Sequence, residues 1–430
     1  MARSANSPLT PFSPAFWRSP LRGPWLTSVL GIVLLGGITV LFVTGLVSYA
    51  AYNPNLAPVN DKTPEKGILG FYLFSWPTSP HWLYRLNQGV HVTLGITLIP
   101  VLLAKLWSVL PKLFTLPPAR SLAHALERIS LLLLVGGALF EFVTGVLNVQ
   151  LDYLFPGSFY TLHFYGAWVF IGAFVVHAVL KTPTALRNLR RMREGKEVGT
   201  GEGTGEGTGE EDRELIAPSP AAPTVSRRGA LWFVGGGSLL LFATTVGQNF
   251  DGFLRRTALL APHGGAEPGS GPGGFQINKT AAYAGIREAD TSDEAWRLVV
   301  EGRDGRTVRL SRAELLDMPL YSAALPIACV EGWSTSDQWW RGVRLRDLAA
   351  LVGHDQDPPD VLVESLQQRG AFRRAALRAN QVADSRSLLA LFVNGEDLTP
   401  DHGYPARIIV PAAPGVLNTK WVARLTFGDL

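Results

Sequence analysis

Cysteine is almost absent from this sequence of 430 residues, which contains Cys329 and no other thiol. A single cysteine excludes a disulfide framework, a cysteine-bound iron–sulfur cluster and a zinc site built from several cysteines. Charged residues are also scarce, at 17% of the chain, whereas hydrophobic residues make up 47% and gather in long runs before residue 250. This composition excludes a single soluble globule and predicts two or three domains, one of them in a membrane.

The formal net charge is +4. The basic residues cluster beside the apolar runs, as membrane topology requires, and do not form the basic patch of a nucleic-acid-binding protein. We therefore predict membrane lipid as a partner and no nucleic acid.

Five apolar stretches are long enough to cross a bilayer, because a span needs about 20 mostly apolar residues. They lie at about 26–50, 88–110, 129–149, 160–181 and 229–248. Lys and Arg clusters precede the first stretch, separate the second from the third and follow the fourth, which places these loops in the cytoplasm. The sequence thus predicts a multi-pass protein of the inner (cell) membrane with a cytoplasmic N-terminus and a periplasmic or extracellular C-terminal domain.

Two low-complexity segments, rich in Gly with Glu and Thr or in Gly with Pro, separate the predicted domains. We predict a four-helix membrane domain at 1–196, a flexible cytoplasmic linker at 197–226, a fifth transmembrane helix at 227–250, an external tether at 251–274 and a C-terminal domain at 275–430.

The fifth stretch is preceded by Ser226, Arg227 and Arg228, which resemble a twin-arginine export signal. An ordinary positive-inside anchor is the alternative. The twin-arginine translocation machinery, which exports folded domains with their cofactors, is therefore a predicted partner.

An internal repeat relates the first and third stretches. Gly36-Gly37 and Phe42-Val43-Thr44-Gly45 recur as Gly136-Gly137 and Phe142-Val143-Thr144-Gly145. Two copies of a helical hairpin follow from this repeat, and aligning their second helices sets His91 against His163 and Lys105 against His177. The paired glycines favour either a macrocycle or close helix packing.

Three of the eight histidines, His91, His163 and His177, lie inside apolar stretches. An ionisable side chain is costly there and indicates function. His163 and His177 are 14 residues apart, which on a helix returns to within about 40° of one face and separates them by about 21 Å. Two sites at two depths are typical of a cytochrome b that carries electrons across a bilayer; histidines that hydrogen-bond neighbouring helices are the alternative.

Depth along the helices predicts the haem ligands. His91 and His163 both lie about a turn inside the outer surface and are the expected axial ligands of an outer b-type haem. His177 lies near the inner surface, where His124 is a candidate partner for a second haem or else a surface residue. Glu141 is either a proton or quinone group or a buried carboxyl. This half resembles the four-helix b-type cytochromes that anchor periplasmic oxidoreductases, which implies quinone or quinol as a partner.

After residue 275 the pattern changes to short β-type runs near 296–300 and 406–410, with helical stretches near 311–317, 344–352 and 379–386. This mixture predicts an α+β domain. The sequence contains no Walker loop, Rossmann fingerprint or Ser-His-Asp signature.

The only thiol lies in the stretch 325–334, which reads LPIACVEGWS. An unpaired cysteine is often a small buried hydrophobic residue, and position alone leaves that alternative open. Together with 340–345 and Leu348, this stretch resembles the molybdopterin-binding domain of the sulfite oxidase family. The resemblance implies that the Cys329 thiolate binds molybdenum, a metal that a soft thiolate suits.

A second block, comprising 393–396, 401–407 and Lys420-Trp421, resembles the pterin-phosphate segment of the same family. The resemblance implies that His402, Arg407 and Lys420 hold the phosphate of molybdopterin, and the Arg fork and Lys point charge are strong phosphate partners. Asn278 lies in a segment that resembles the one contacting the pterin near the start of the domain. The predicted fold is thus an all-α membrane bundle followed by an α+β molybdopterin domain.

The sequence departs from the family on the substrate side. Sulfite-oxidising members surround the metal with several arginines, whereas Cys329 is followed here by 330–333, which read VEGW. A carboxylate and an indole are poor receptors for sulfite, so the sequence disfavours that substrate.

The leading hypothesis is a membrane-bound molybdenum oxidoreductase that exchanges electrons between an external substrate and the quinone pool through b-type haem. It either reduces an S-oxide or N-oxide or oxidises a small molecule. The alternative is a non-catalytic haem-bearing membrane anchor or sensor with a ligand-binding C-terminal domain. A transporter is disfavoured because the histidine pattern leaves no evident substrate pathway.

Overall fold

The structure is a computed structural model that describes residues 16–17, 19–64, 74–114, 122–150, 154–193, 221–261 and 273–430. Within these ranges, five helices are long and apolar enough to cross a membrane, as predicted. They are α1 Pro24–Ala51, α2 Leu83–Leu113, α3 Leu122–Val149, α4 Phe159–Arg193 and α5 Arg227–Ala243.

The chain divides into two compact units, and neither is continuous in sequence. The first unit takes its residues from Met1–Phe42, Leu94–Thr144 and Gly166–Phe242. The second unit takes them from Val43–Thr93, Gly145–Tyr165 and Ala243–Leu430. The domain boundaries drawn from the sequence stay predictions, because most of the linker 197–226 and part of the tether 251–274 lie outside the described residues.

The first unit is held together by an apolar core between its helices. Two glycines of the internal repeat allow close packing there: a Cβ on Gly37 would lie 2.5 Å from Leu98, and one on Gly137 would lie 3.0 Å from Phe170. A Cβ on Gly36 or Gly136 would meet no described atom within 4 Å. Gly37 and Gly137 therefore serve helix packing, which was one of the two predicted roles.

Two sheets form the centre of the C-terminal part of the second unit. The first has the order β2-β1-β10-β5-β6, with β1 and β10 parallel and the other neighbours antiparallel. The second has the order β3-β4-β7-β8, with β9 also paired to β7, and all its pairs are antiparallel. The strands are β1 Leu298–Glu301, β2 Thr307–Leu310, β3 Tyr321–Leu325, β4 Gln338–Arg344, β5 Val361–Ser365, β6 Arg374–Leu377, β7 Leu388–Val393, β8 Glu396–Asp397, β9 Arg407–Ile409 and β10 Val422–Phe427.

Short helices precede and connect these strands, and the predicted helical stretches near 311–317, 344–352 and 379–386 are confirmed. The helices are α6 Ala281–Ala284, α7 Glu288–Thr291, α8 Arg312–Leu316, α9 Leu345–Ala350 and α10 Ala379–Ala383. Helix α8 begins with a capping box between Ser311 and Glu314, which satisfies backbone N–H groups of its first turn. Buried Val, Leu and Ile side chains of the strands form the core against these helices. The α+β prediction is therefore confirmed.

The second unit also contains the ends of α1 to α4 that are joined by 52–82 and 150–158. Segments between these helices hydrogen-bond the C-terminal part: Trp76 Nε1 donates at 2.7 Å to the carbonyl of Ala412, in the loop after β9, and Asn53 Nδ2 donates at 3.1 Å to the carbonyl of Ala376 in β6. Both Trp76 and Asn53 are buried. These bonds stabilise one compact body that includes the helix ends and both sheets.

Candidate functional site

Cys329 lies in a tight loop between β3 and β4. An isolated bridge between Ala328 and Ser334 closes the loop, and the Cys329 N–H donates to the Trp333 carbonyl at 2.9 Å. Gly332 turns the chain with a φ of +92°, a conformation that favours glycine. The loop buries the thiol, leaving Cys329 1% exposed.

The surroundings of the thiol are polar as well as buried. Burial raises the pKa of Cys329, and the nearby Glu331 carboxylate raises it further. Burial also raises the pKa of Glu331. Asn278 donates from Nδ2 toward Cys329 Sγ at 3.8 Å. A metal cation at Sγ would offset both effects on the thiol, because a coordinating thiol is deprotonated outright.

Three predicted phosphate ligands form a cationic cluster in the same domain. Arg407, at the start of β9 and 2% exposed, donates to the carbonyls of His402 at 3.0 Å and Asn418 at 3.2 Å. Its Nε has no hydrogen-bond partner among the described residues. Lys420 Nζ donates to the carbonyls of Lys279 and Asp401, each at 2.7 Å.

His402 completes this cluster. Its ring stacks on Phe275 with centroids 3.9 Å apart, and its Nε2 donates to the Gly273 carbonyl at 2.8 Å. Burial lowers the pKa of His402 to about 4, and the charges of Arg407 and Lys420 also lower it.

The cations disfavour one another in the absence of an anion. Burial lowers the pKa of Arg407 to about 9. Burial also lowers the pKa of Lys420 well below its ordinary value, and the charges of Arg407 and Lys279 add to that effect. A phosphate would compensate these buried charges and would supply an acceptor for Arg407 Nε. The structure therefore brings His402, Arg407 and Lys420 together in a cradle that fits a phosphate.

A cluster of tyrosines near Cys329 was not predicted from the sequence. Tyr52, Tyr84, Tyr160 and Ala328 pack in one buried cluster. The Tyr52 and Tyr84 hydroxyls are 3.1 Å apart, and the rings of Tyr52 and Tyr160 have centroids 5.4 Å apart. Burial raises the pKa of Tyr52, and the negative charge of a Cys329 thiolate would raise it further. Three phenols thus lie within electrostatic reach of the thiol.

His91 of α2 and His163 of α4 face each other, as the internal repeat predicts. Their ring centroids are 6.4 Å apart and the ring planes are inclined by 83°. Thr44 Oγ1 lies 2.9 Å from His91 Nδ1 and is a hydrogen-bond partner of that ring.

Two glycines of the repeat lie beside these rings. A Cβ on Gly45 would lie 3.4 Å from His91 Cε1, and one on Gly145 would lie 3.9 Å from His163 Cε1. The repeat contained this signal, but the sequence alone did not show which glycine of each copy faces a histidine.

The remaining predicted ligands do not form a comparable pair in the described part of the chain. His177 lies fourteen residues beyond His163 in α4 and is partly buried. His124 lies in α3, and its side chain falls outside the described residues. Lys105, the repeat counterpart of His177, donates from Nζ to the Thr27 carbonyl at 2.6 Å. A second haem on His124 and His177 therefore stays a prediction.

Residues 284–429 match the family model described as Oxidoreductase molybdopterin binding domain. Over 132 residues the chain is 33% identical to Uncharacterized oxidoreductase YuiH of Bacillus subtilis, a match that covers 31% of this chain and 65% of that protein. Over 158 residues the chain is 30% identical to human mitochondrial sulfite oxidase, a match that covers 31% of this chain and 29% of that protein. A chain in the crystal structure of the sulfane dehydrogenase SoxCD from Paracoccus pantotrophus is 25% identical to this protein in sequence. The match covers 32% of this chain and 39% of the SoxCD chain, with a TM-score of 0.30.

These relatives are matched over part of their length, since the chain spans 65% of the Bacillus protein and 29% of the human one. The matches lie in the C-terminal part of the chain. The predicted C-terminal molybdopterin-binding oxidoreductase domain is thereby confirmed.

Proposed function

We propose that this protein, whose residues 284–429 form a molybdopterin-binding oxidoreductase domain, is a membrane-bound enzyme that reduces a neutral S-oxide or N-oxide with electrons from a quinol, carried by b-type haem. The main support is that one compact unit contains both Cys329 and the facing pair His91 and His163. The five apolar helices support insertion in a membrane. Export of the C-terminal domain through the twin-arginine machinery, with the N-terminus in the cytoplasm, would place the substrate site outside.

The residues fit the molybdenum cofactor. Cys329 would supply the thiolate ligand, Asn278 would lie beside the sulfur, and His402, Arg407 and Lys420 would hold the phosphate. When bound, the cofactor supplies two-electron chemistry and exchange of an oxygen atom with the substrate. The protein's own contribution is to exclude water from the thiol and to fix the anion at the cationic cluster.

Neutralising the cationic cluster should release the cofactor. A charge-assisted hydrogen bond contributes about 1.5–3 kcal/mol, so Arg407→Met or Lys420→Met should weaken pterin binding by about 10- to 100-fold. The measurement is pterin content of the purified full-length protein, with haem content as a reference. Arg424→Met is the matched control, because Arg424 pairs with Glu301 on the first sheet at 2.8 Å. Wild-type pterin content in both cluster variants would contradict the assignment.

The histidine pair fits a haem iron. An imidazole nitrogen binds a transition metal at about 2 Å. Two such bonds, together with the distance from each nitrogen to the centre of its ring, account for the separation of 6.4 Å between the His91 and His163 centroids. Gly45 and Gly145 leave space beside both rings. A hydrogen bond that His91 Nδ1 donates to Thr44 Oγ1 would hold that ring with Nε2 toward the iron.

The tyrosine cluster supports a neutral oxo-substrate. Phenol hydroxyls donate hydrogen bonds, and the oxygen of an S-oxide or N-oxide is a strong acceptor. Glu331, near Cys329, supplies no positive charge that would bind an anion such as sulfite. The proposed reaction takes two electrons and two protons, breaks the S–O or N–O bond, and releases the reduced compound and water. Oxidation of a quinol to a quinone supplies both electrons and both protons.

Removing one hydroxyl from this cluster should lower substrate turnover without disturbing the metal sites. One hydrogen bond contributes about 1 kcal/mol, so Tyr52→Phe should lower kcat/KM for a sulfoxide by about fivefold to tenfold. Tyr49→Phe is the control, since Tyr49 lies in the last turn of α1 and stacks on Phe164 with centroids 4.3 Å apart. Equal losses in the two variants, or none in Tyr52→Phe, would argue against a substrate-binding cluster.

The proposed function is tested on the purified full-length protein by elemental analysis, pterin assay and an optical spectrum. Molybdenum, pterin and b-type haem should all be present. Haem that has been reduced chemically should be reoxidised by a sulfoxide or an N-oxide. Reduction of oxidised haem by sulfite would instead show an oxidase direction and would contradict the proposed substrate class.

A further inference from the structure

The loop that holds Cys329 is hydrogen-bonded to α2. Gln88 Nε2 donates to the Val330 carbonyl at 2.8 Å, and Val330 directly follows Cys329 in the chain. Gln88 is 5% exposed. Ser48 Oγ donates to Gln88 Oε1 at 3.0 Å, which orients the amide with its N–H groups toward the loop.

The same turn of α2 carries a predicted haem ligand. Gln88 and His91 are three residues apart on the helix, so their side chains lie on neighbouring positions of one face. A second contact joins the loop to this turn: a Cβ on Gly332 would lie 2.6 Å from Val92. The Cys329 loop thus contacts α2 at Val92, next to His91, and accepts a hydrogen bond from Gln88, one turn earlier in the same helix.

We infer that Gln88 is the electron-transfer bridge between the haem on His91 and the molybdenum centre on Cys329. This inference rests on the proposed function. The connection runs from His91 along one turn of α2 to the Gln88 amide, across the hydrogen bond to the Val330 carbonyl, and through the backbone to Cys329. Electron tunnelling decays less steeply through covalent and hydrogen bonds than across van der Waals gaps, so the hydrogen bond of Gln88 offers a better route than the van der Waals contact between Val92 and Gly332.

Each transfer along this route moves one electron. A haem held by His91 and His163 would give up one electron in each transfer, and a molybdenum centre held by Cys329 would take up that electron. Two transfers supply the two electrons that the S–O or N–O cleavage requires, while the quinol resupplies the haem. The Gln88 amide is neither oxidised nor reduced.

A purely structural role for Gln88 makes a different prediction. Arg85, one turn earlier in α2, also joins this helix to the loop: its Nε donates to Ser334 Oγ at 3.1 Å, and its NH2 group donates to the Asn249 carbonyl at 2.6 Å. Ser334 lies at the far end of the loop from Val330. If the bonds of α2 only hold the loop in place, loss of either should have the same effect.

The experiment compares Gln88→Met, which keeps side-chain length but removes the N–H donor, with the control Arg85→Gln in the full-length protein. A photochemical reductant injects one electron into the haem in the absence of substrate, and the rate at which the electron passes to the molybdenum centre is followed by the haem absorbance. Molybdenum, pterin and haem contents and the haem midpoint potential are measured on the same samples. We expect Gln88→Met to lower the transfer rate several-fold with contents and potential unchanged, and Arg85→Gln to leave the rate near wild type.

Ser48→Ala provides a second variant that retains Gln88. Loss of the Ser48 hydroxyl frees the amide to rotate, so the transfer rate should fall by less than in Gln88→Met. An unchanged rate in Gln88→Met, or an equal fall in Arg85→Gln, would overturn the bridge. If Gln88→Met loses a cofactor, then an unchanged rate of electron transfer in Ser48→Ala overturns the assignment of Gln88 as the bridge. Absence of molybdenum or haem from the wild-type protein would instead overturn the proposed function, so the two failures are distinguishable.

Discussion

Cys329→Ser is expected to lose nearly all turnover with any substrate while the protein keeps its fold, its haem and much of its pterin. Serine replaces a soft thiolate by a hydroxyl of much higher pKa, so the metal loses its protein ligand and its electronic structure must change. The cationic cluster of His402, Arg407 and Lys420 is untouched by this substitution and should still hold the phosphate. The measurement combines molybdenum, pterin and haem contents with activity on one purified sample.

An ordinary buried cysteine predicts a different outcome for the same variant. Burial of the serine hydroxyl in place of the thiol would cost about 1–3 kcal/mol of unfolding free energy and would leave the chemistry intact. Ser334→Ala is a suitable control, since Ser334 lies in the same loop, where it pairs with Ala328 and accepts a hydrogen bond from Arg85. Near-normal activity of Cys329→Ser would remove this residue from the metal.

Local pattern was sufficient to predict the secondary structure. Apolar runs of more than twenty residues can form only a few structures, so the five long helices were predictable to within a few residues at most ends. The second helix begins at Leu83, earlier than the predicted 88, and the prediction missed this start because the first two turns carry the polar residues Arg85, Asn87 and Gln88. These side chains bond the C-terminal domain and α1 through tertiary contacts that hydropathy does not register.

The residues of the candidate site could be predicted where they lie in one short segment or are related by the internal repeat. His91 and His163 could be paired because the repeat aligns them, and the phosphate residues lie within a segment of about twenty residues whose spacing carries the family resemblance. Tyr52, Tyr84 and Tyr160 could not be placed near Cys329, because that contact joins residues hundreds of positions apart. At the ends of apolar helices, tyrosines also fit an aromatic belt at the membrane surface equally well.

Removing either imidazole of the facing pair is expected to remove one b-type haem from the protein. In His91→Ala and in His163→Ala the iron would keep a single axial ligand, and the alanine would leave a cavity beside Gly45 or Gly145. Both variants should lose the low-spin bis-histidine spectrum and the reoxidation of haem by an S-oxide, while molybdenum and pterin remain. The readouts are the haem-to-protein ratio and the optical and electron paramagnetic resonance spectra.

The matched control for the haem prediction is His81→Ala. That substitution removes an imidazole from the same compact unit, where His81 Nε2 lies 3.1 Å from Asp337 Oδ2 on a partly exposed surface. His81→Ala should retain all haem, because its ring has a carboxylate partner and faces no other histidine in the described part of the chain. A residual haem in His91→Ala and His163→Ala that disappears only when His177→Ala is added would show a second haem on α4. Unchanged haem content together with an unchanged low-spin spectrum in both His91→Ala and His163→Ala would refute the pair as ligands, since an iron with two imidazole ligands cannot keep its low-spin state after losing either one.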